Sequence, residues 1–66
     1  MNIMLNNEDS EVRDGITIAQ LLKDREIQNK YIAVEVNEII IPKSDYLKYE
    51  IKNGDKVEII TAIGGG

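Results

Sequence analysis

The residues best placed to do chemistry stand at the end of the sequence, in TAIGGG, where Thr61, Ala62 and Ile63 are followed by Gly64, Gly65 and Gly66. Glycine has no side chain to pack and is a poor helix former, so a run of three adds nothing to a core. The run reads either as a frayed end or as an active tail whose functional group is the Gly66 carboxylate. Side-chain alternatives are few, because the sequence contains no cysteine and no histidine. That removes disulfides, thiolate nucleophiles, Cys/His metal sites, imidazole bases and any Ser-His-Asp arrangement. The carboxylate pairs Asp9/Glu11 and Asp45/Glu50 have neither EF-hand spacing nor a supporting base, so neither reads as a catalytic or calcium site. No bound cofactor or metal is expected.

Something must hold that tail out, and composition limits what it can be. Sixty-six residues make one small domain, and a chain of this size buries only about 60% of the surface its unfolded form exposes. Twelve acidic against eight basic residues give a net charge of -4. Such a surface repels a phosphate backbone and favours partners with basic faces, so nucleic acid is not an expected partner. No apolar run approaches the ~20 residues that cross a bilayer, and MNIMLNNEDS lacks the basic and apolar regions of a signal peptide. The expected compartment is the cytoplasm, away from membranes.

The alternation of Met1, Ile3 and Leu5 against Asn2, Met4 and Asn6 predicts a first strand, with NNED as its turn and SEVRD as a weak second strand placing Val12 inward. After Gly15, Thr17 and Gln20 have the spacing of a capping box, with Ile16 and Leu21 as its hydrophobic staple. A helix from about Ile18 to Arg25 follows, with Ile18, Leu21 and Leu22 on its buried stripe and Gln20, Lys23 and Asp24 in water. YIAVEVN alternates with Ile32, Val34 and Val36 inward, turns near Asn37 and Glu38, and resumes in EIIIP until Pro42. Ser44 reads as the cap of a single helical turn carrying Tyr46 and Leu47, and Asn53-Gly54 as a tight turn. A last strand, KVEIITA, leads into the glycines. The order strand, strand, helix, strand, strand, strand predicts an α+β fold in which a mixed sheet wraps one helix. Its expected core is Ile3, Leu5, Val12, Ile16, Ile18, Leu21, Leu22, Val34, Val36, Val57 and Ile59.

Three stretches then carry a resemblance: DGITIAQLL, VEVNEIIIPKSDY and NGDKVEIITAIGGG. Together they resemble the ubiquitin-like β-grasp sulfur carriers, most closely the ThiS family of thiamine biosynthesis. The turn Asn37-Glu38 stands where members of that family often have Asn-Gly, and Tyr46 where a tryptophan is frequent. The resemblance implies a β-grasp domain over residues 1–63 and a flexible, reactive tail over 64–66. It further implies that a ThiF-like, E1-like enzyme uses ATP to adenylate the Gly66 carboxylate, which is then converted to a thiocarboxylate. Sulfur would come from a donor such as a cysteine desulfurase and pass to a ThiG-like thiazole synthase.

Elementary chemistry agrees with that sequence of events. Without cysteine the chain cannot carry sulfur on a side-chain thiol. A carboxylate is a poor electrophile whose charge repels a sulfur nucleophile, whereas an acyl adenylate has a good leaving group. The protein is then a substrate rather than an enzyme. Glycines suit a tail that threads a narrow channel, since they lack Cβ atoms and reach positive φ. Ile60 faces away from the helix and, with Met4, Ile63 and Ile40, is expected to offer an apolar patch for a partner. The acids Glu8, Asp9, Glu35, Glu38, Asp45 and Glu58 would either guide a basic partner or simply keep the surface solvated. Other functions stay open: a molybdopterin-synthase small subunit or another sulfur-metabolite carrier, a protein-conjugating modifier, or a plain interaction domain. The molybdopterin subunits tend to be longer, with an aromatic residue near the glycines, and this chain has no phenylalanine.

Overall fold

The computed structural model describes residues 1–27 and 32–61. The elements run β1 (Asn2–Leu5), β2 (Glu8–Glu11), α1 (Ile18–Asp24), β3 (Ile32–Val36), β4 (Ile39–Ile41), a 3-10 turn (Lys43–Asp45) and β5 (Lys56–Thr61). They form one five-stranded sheet in the order β2-β1-β5-β3-β4. The two hairpins pair internally antiparallel, and β5 joins them, running parallel to β1 and antiparallel to β3. The mixed sheet packed on one helix is the predicted α+β fold.

Both hairpin turns have two residues, and all four have positive φ: Asn6 at 49°, Asn7 at 68°, Asn37 at 52° and Glu38 at 69°. That is the left-handed geometry of a type I′ turn, whose twist matches the flanking strands. It also explains a correction. Because Asn6 and Asn7 alone make the first turn, the second strand begins at Glu8 and ends at Glu11 instead of following an NNED turn. Val12 lies just past it, half-buried against the core, with its N–H donated to the Met1 carbonyl at 2.8 Å.

Helix α1 has only seven residues, so its ends must be held. The expected capping box is present: the Gln20 N–H donates to Thr17 Oγ1 at 3.2 Å and the Thr17 N–H to Gln20 Oε1 at 3.0 Å. The Ile18 and Ala19 N–H groups donate to the Tyr49 and Tyr46 carbonyls at 3.1 and 2.9 Å. The N–H groups of Thr17, Ile18, Ala19 and Gln20 are thus all satisfied, two by the capping box and two by the distant carbonyls. At the other end the Glu26 N–H reaches Lys23 O and the Ile27 N–H reaches Leu22 O, with Glu26 at φ 57°. This is a Schellman motif with glutamate in the position glycine prefers. It ends the helix at Asp24 and makes Arg25 its cap rather than its last residue.

The core comprises Ile3, Ile16, Ile18, Leu21, Leu22, Val34, Val36, Ile41, Tyr46, Ile51 and Val57. Leu5, Val12 and Ile59 of the expected core are only half-buried around it, whereas Ile41, Tyr46 and Ile51 enter it. Tyr46 and Ile51 are drawn in by the same loop that caps the helix, since Ile51 N–H also donates to Ile16 O at 2.9 Å. Ser44 is not a cap. Pro42 occupies that position with no side-chain bond, because its fixed φ of -62° starts the 3-10 turn, and Leu47 is left 84% exposed.

A direct test of the turn geometry is the exposed Glu38, held at φ 69° without a glycine's freedom. Relieving that conformation in Glu38→Gly should raise stability by about 1 kcal/mol in urea unfolding, with an unchanged m-value.

Candidate functional site

The glycines Gly64, Gly65 and Gly66, together with Ala62 and Ile63, lie outside the described residues. What the structure places is their point of departure. Strand β5 occupies the centre of the sheet, and its last residue, Thr61, is exposed opposite Ile32, the first residue of β3. The next residues in sequence are AIGGG.

Alternation along β5 divides the sheet into two faces. Val57 is fully buried on the helix side and Ile59 half-buried, while Lys56, Glu58 and Ile60 occupy the other, open face. The pairing register extends that face across the sheet. Ile60 stands opposite Ala33, Glu58 opposite Glu35, and Glu35 opposite Ile40. Met4 stands beside Lys56 and opposite Asp9, and Asn2 opposite Glu11.

The expected apolar residues therefore share a face but do not all touch. Ile60 is 48% exposed and Met4 38%, yet Met4's neighbour Lys56 is four positions along β5 from Ile60. At ~3.3 Å per residue that is about 13 Å. Glu58 lies between them, with its carboxylate 3.7 Å from Lys56 Nζ. Ile60 and Ala33 instead form an apolar end to the face, nearest Thr61, with Ile40 in the next row beside Glu35 and Met4 at the other end. The acids divide as well. Asp9, Glu35 and Glu58 line the open face, joined by Glu11, which the sequence reading had rejected as a metal ligand and otherwise passed over. Glu8 lies opposite Leu5 toward the helix side, Glu38 sits in a turn, and Asp45 in the 3-10 turn is paired with Lys48 at 3.8 Å. Glu50 is likewise paired, with Lys52 at 3.9 Å. Among the described residues no group of three or more Asp or Glu side chains is arranged to hold a metal ion.

The central strand thus leads in sequence into Gly-Gly-Gly and borders one acidic and partly apolar open face. The sequence profile of the ThiS family matches residues 3–66. The chain belongs to the ThiS family of sulfur carriers in thiamine biosynthesis. It is 37% identical over 65 residues to the sulfur carrier protein ThiS of Bacillus subtilis, covering 97% of this chain and 98% of that one. The crystal structure of the thiamine biosynthesis protein ThiS from Geobacter metallireducens superposes with a TM-score of 0.87 at 29% identity, covering 100% of both chains. A thiazole synthase from Paramagnetospirillum magneticum is 36% identical over 66 residues. There the match takes in 100% of this chain but spans only 20% of the synthase.

As in the ThiS structure, the fold is a ubiquitin-type β-grasp. Among the described residues no helix is long and apolar enough to cross a membrane. One residue that holds β5 is not evident from the sequence. Asn6 was placed on the outer face of β1, but its Oδ1 accepts the Ile59 N–H at 2.8 Å. The signal was the Asn-Asn pair itself, since asparagine tolerates left-handed φ and readily bonds nearby backbone.

The register also sets Glu35 directly opposite Glu58, and like charges so placed repel. Glu35→Gln should stabilise the fold by about 0.2–1 kcal/mol at low salt. The gain should shrink as added salt screens the parent's repulsion, read from paired urea titrations.

Proposed function

We propose that the sulfur is carried on the C-terminal carboxylate of Gly66 and that all catalysis belongs to partners. An adenylating enzyme of the ThiF kind joins that carboxylate to the AMP portion of ATP and releases pyrophosphate. A persulfide on a donor such as a cysteine desulfurase then attacks the acyl carbon with its outer sulfur, forming the C–S bond as AMP leaves, and a thiol reductant cleaves the S–S bond, becoming a disulfide and leaving that sulfur on the carboxyl carbon. The resulting thiocarboxylate passes its sulfur to a ThiG-like thiazole synthase in the cytoplasm. The observation that carries this reading is a central strand continuing in sequence into AIGGG on a chain without cysteine.

Partner choice rests on the relatives and the open face. A polypeptide named thiazole synthase contains a stretch similar to this whole chain, which supports a synthase as the acceptor and thiamine rather than molybdopterin as the pathway. Glu35 and Glu58 beside Ile60 and Ala33, with Asp9 and Glu11 at the Met4 end of the face, suit a partner surface that pairs an apolar contact with basic groups. In this reading Ile60 is the main docking residue of the described chain, Met4 a peripheral one, and Ile63 lies with the tail. The three glycines let the carboxylate pass where a Cβ would not.

ATP–pyrophosphate exchange with the purified adenylating enzyme tests this. Deleting Gly66 or substituting Gly65→Val should abolish exchange or slow it severely, while unfolding free energy stays within about 0.5 kcal/mol. Ile60→Glu should weaken the enzyme's hold on the carrier with equally little change in stability. Exchange at the parent rate in the tail variants would show that Gly66 is not the reactive group.

A further inference from the structure

The two type I′ turns do more than reverse the chain. Each begins with an asparagine, and each asparagine bonds β5 twice. Asn37 accepts the Lys56 N–H on its Oδ1 at 2.9 Å and donates its own N–H to the Lys56 carbonyl at 2.7 Å. Asn6 accepts the Ile59 N–H on its Oδ1 at 2.8 Å and donates its own N–H to the Val57 carbonyl at 2.9 Å. Asn37 thus holds the start of β5, and Asn6 holds it two residues before Thr61.

The second hold matters more for the tail. The β1–β5 register ends at Leu5 opposite Val57, because the β1–β2 turn then carries the chain away. On its other side β5 continues against β3 through Ile60–Ala33 and Thr61–Ile32. Among the described residues, the side chain of Asn6 supplies the bond that β1 itself no longer reaches. From this geometry we infer that Asn6 is a positioning residue for the sulfur-carrying tail. It fixes the direction of Ile59–Thr61, from which residues 62–66 continue.

The consequence lies at the tail's origin. Five residues beyond Thr61, fully extended in a partner's channel, reach up to about 17 Å. Loosening Ile59–Thr61 shifts the point from which that reach is measured, and misplacements of about 1 Å already slow enzymatic reactions. The inference rests on the proposed adenylation of Gly66. It assigns Asn6 to delivery of the carboxylate after docking, not to docking itself.

Three variants test it. Asn6→Gly keeps the left-handed φ but removes the Oδ1 acceptor, Asn6→Asp keeps both, and Asn37→Gly removes the matching hold at the far end of β5. Amide exchange of Ile59 in the free protein should speed up in Asn6→Gly and return toward the parent in Asn6→Asp. In pyrophosphate exchange Asn6→Gly should lower kcat about fivefold with the KM for the carrier unchanged. Asn6→Asp should restore it, and Asn37→Gly should lose stability without losing kcat. An unchanged kcat in Asn6→Gly despite faster Ile59 exchange would overturn the inference. So would a rise in KM at constant kcat, or an equal loss of kcat in Asn37→Gly. A parent protein that is not adenylated at all would instead overturn the sulfur-carrier mechanism, a result recognisable without any Asn6 variant.

Discussion

The pairing of β5 between β1 and β3 is the constraint on which the rest of this small protein depends. Each hairpin alone is a two-stranded ribbon, a form barely stable in water. Strand β5 joins them into one sheet by a parallel ladder on one side and an antiparallel one on the other. Only then is there a continuous face of Ile3, Val34, Val36 and Val57 for Ile18, Leu21 and Leu22 of the helix to cover. The same strand leads in sequence to the glycines proposed to carry the sulfur. Structural and functional demands therefore meet in β5, with the fold anchoring its first residues and the chemistry proposed just beyond its last. The outer strands are protected by ordinary means: β2 is EDSE, and β4 is three residues ended by Pro42.

Much of this was legible in the sequence, for identifiable reasons. Period-two alternation marked β1, β3 and β5, and Thr17 with Gln20 marked the helix start, because these signals arise from neighbours in the chain. The burial of Tyr46 and Ile51 was not legible. It follows from carbonyls at Tyr46 and Tyr49 closing the first turn of a helix some thirty residues earlier, a pairing no local pattern encodes. The second strand was displaced for a local reason, since Asn6 and Asn7 can complete a two-residue turn and release Glu8 to pair. On the open face the sequence identified Ile60 and Met4 as outward, but only the β1–β5 register shows the gap between them. Asn6 was misread because its role lies in a bond to Ile59, 53 positions along the chain.

The chemical logic is equally spare. The chain has no thiol and no imidazole, and its described carboxylates form no metal cluster. In the proposed mechanism the chain contributes position and an acyl group, with activation energy from ATP and transition-state stabilisation from its partners. Its negative charge and acidic open face bear on the speed and choice of encounter more than on the fold.

The central claim is that sulfur replaces oxygen at Gly66, and intact mass spectrometry tests it most directly. The protein would be incubated with its adenylating enzyme, ATP and a sulfur donor, then weighed and fragmented. The account predicts a mass increase equal to the difference between sulfur and oxygen, confined to the fragment containing Gly66. An unchanged mass when the enzyme is demonstrably active, or sulfur located anywhere else in the chain, would contradict it.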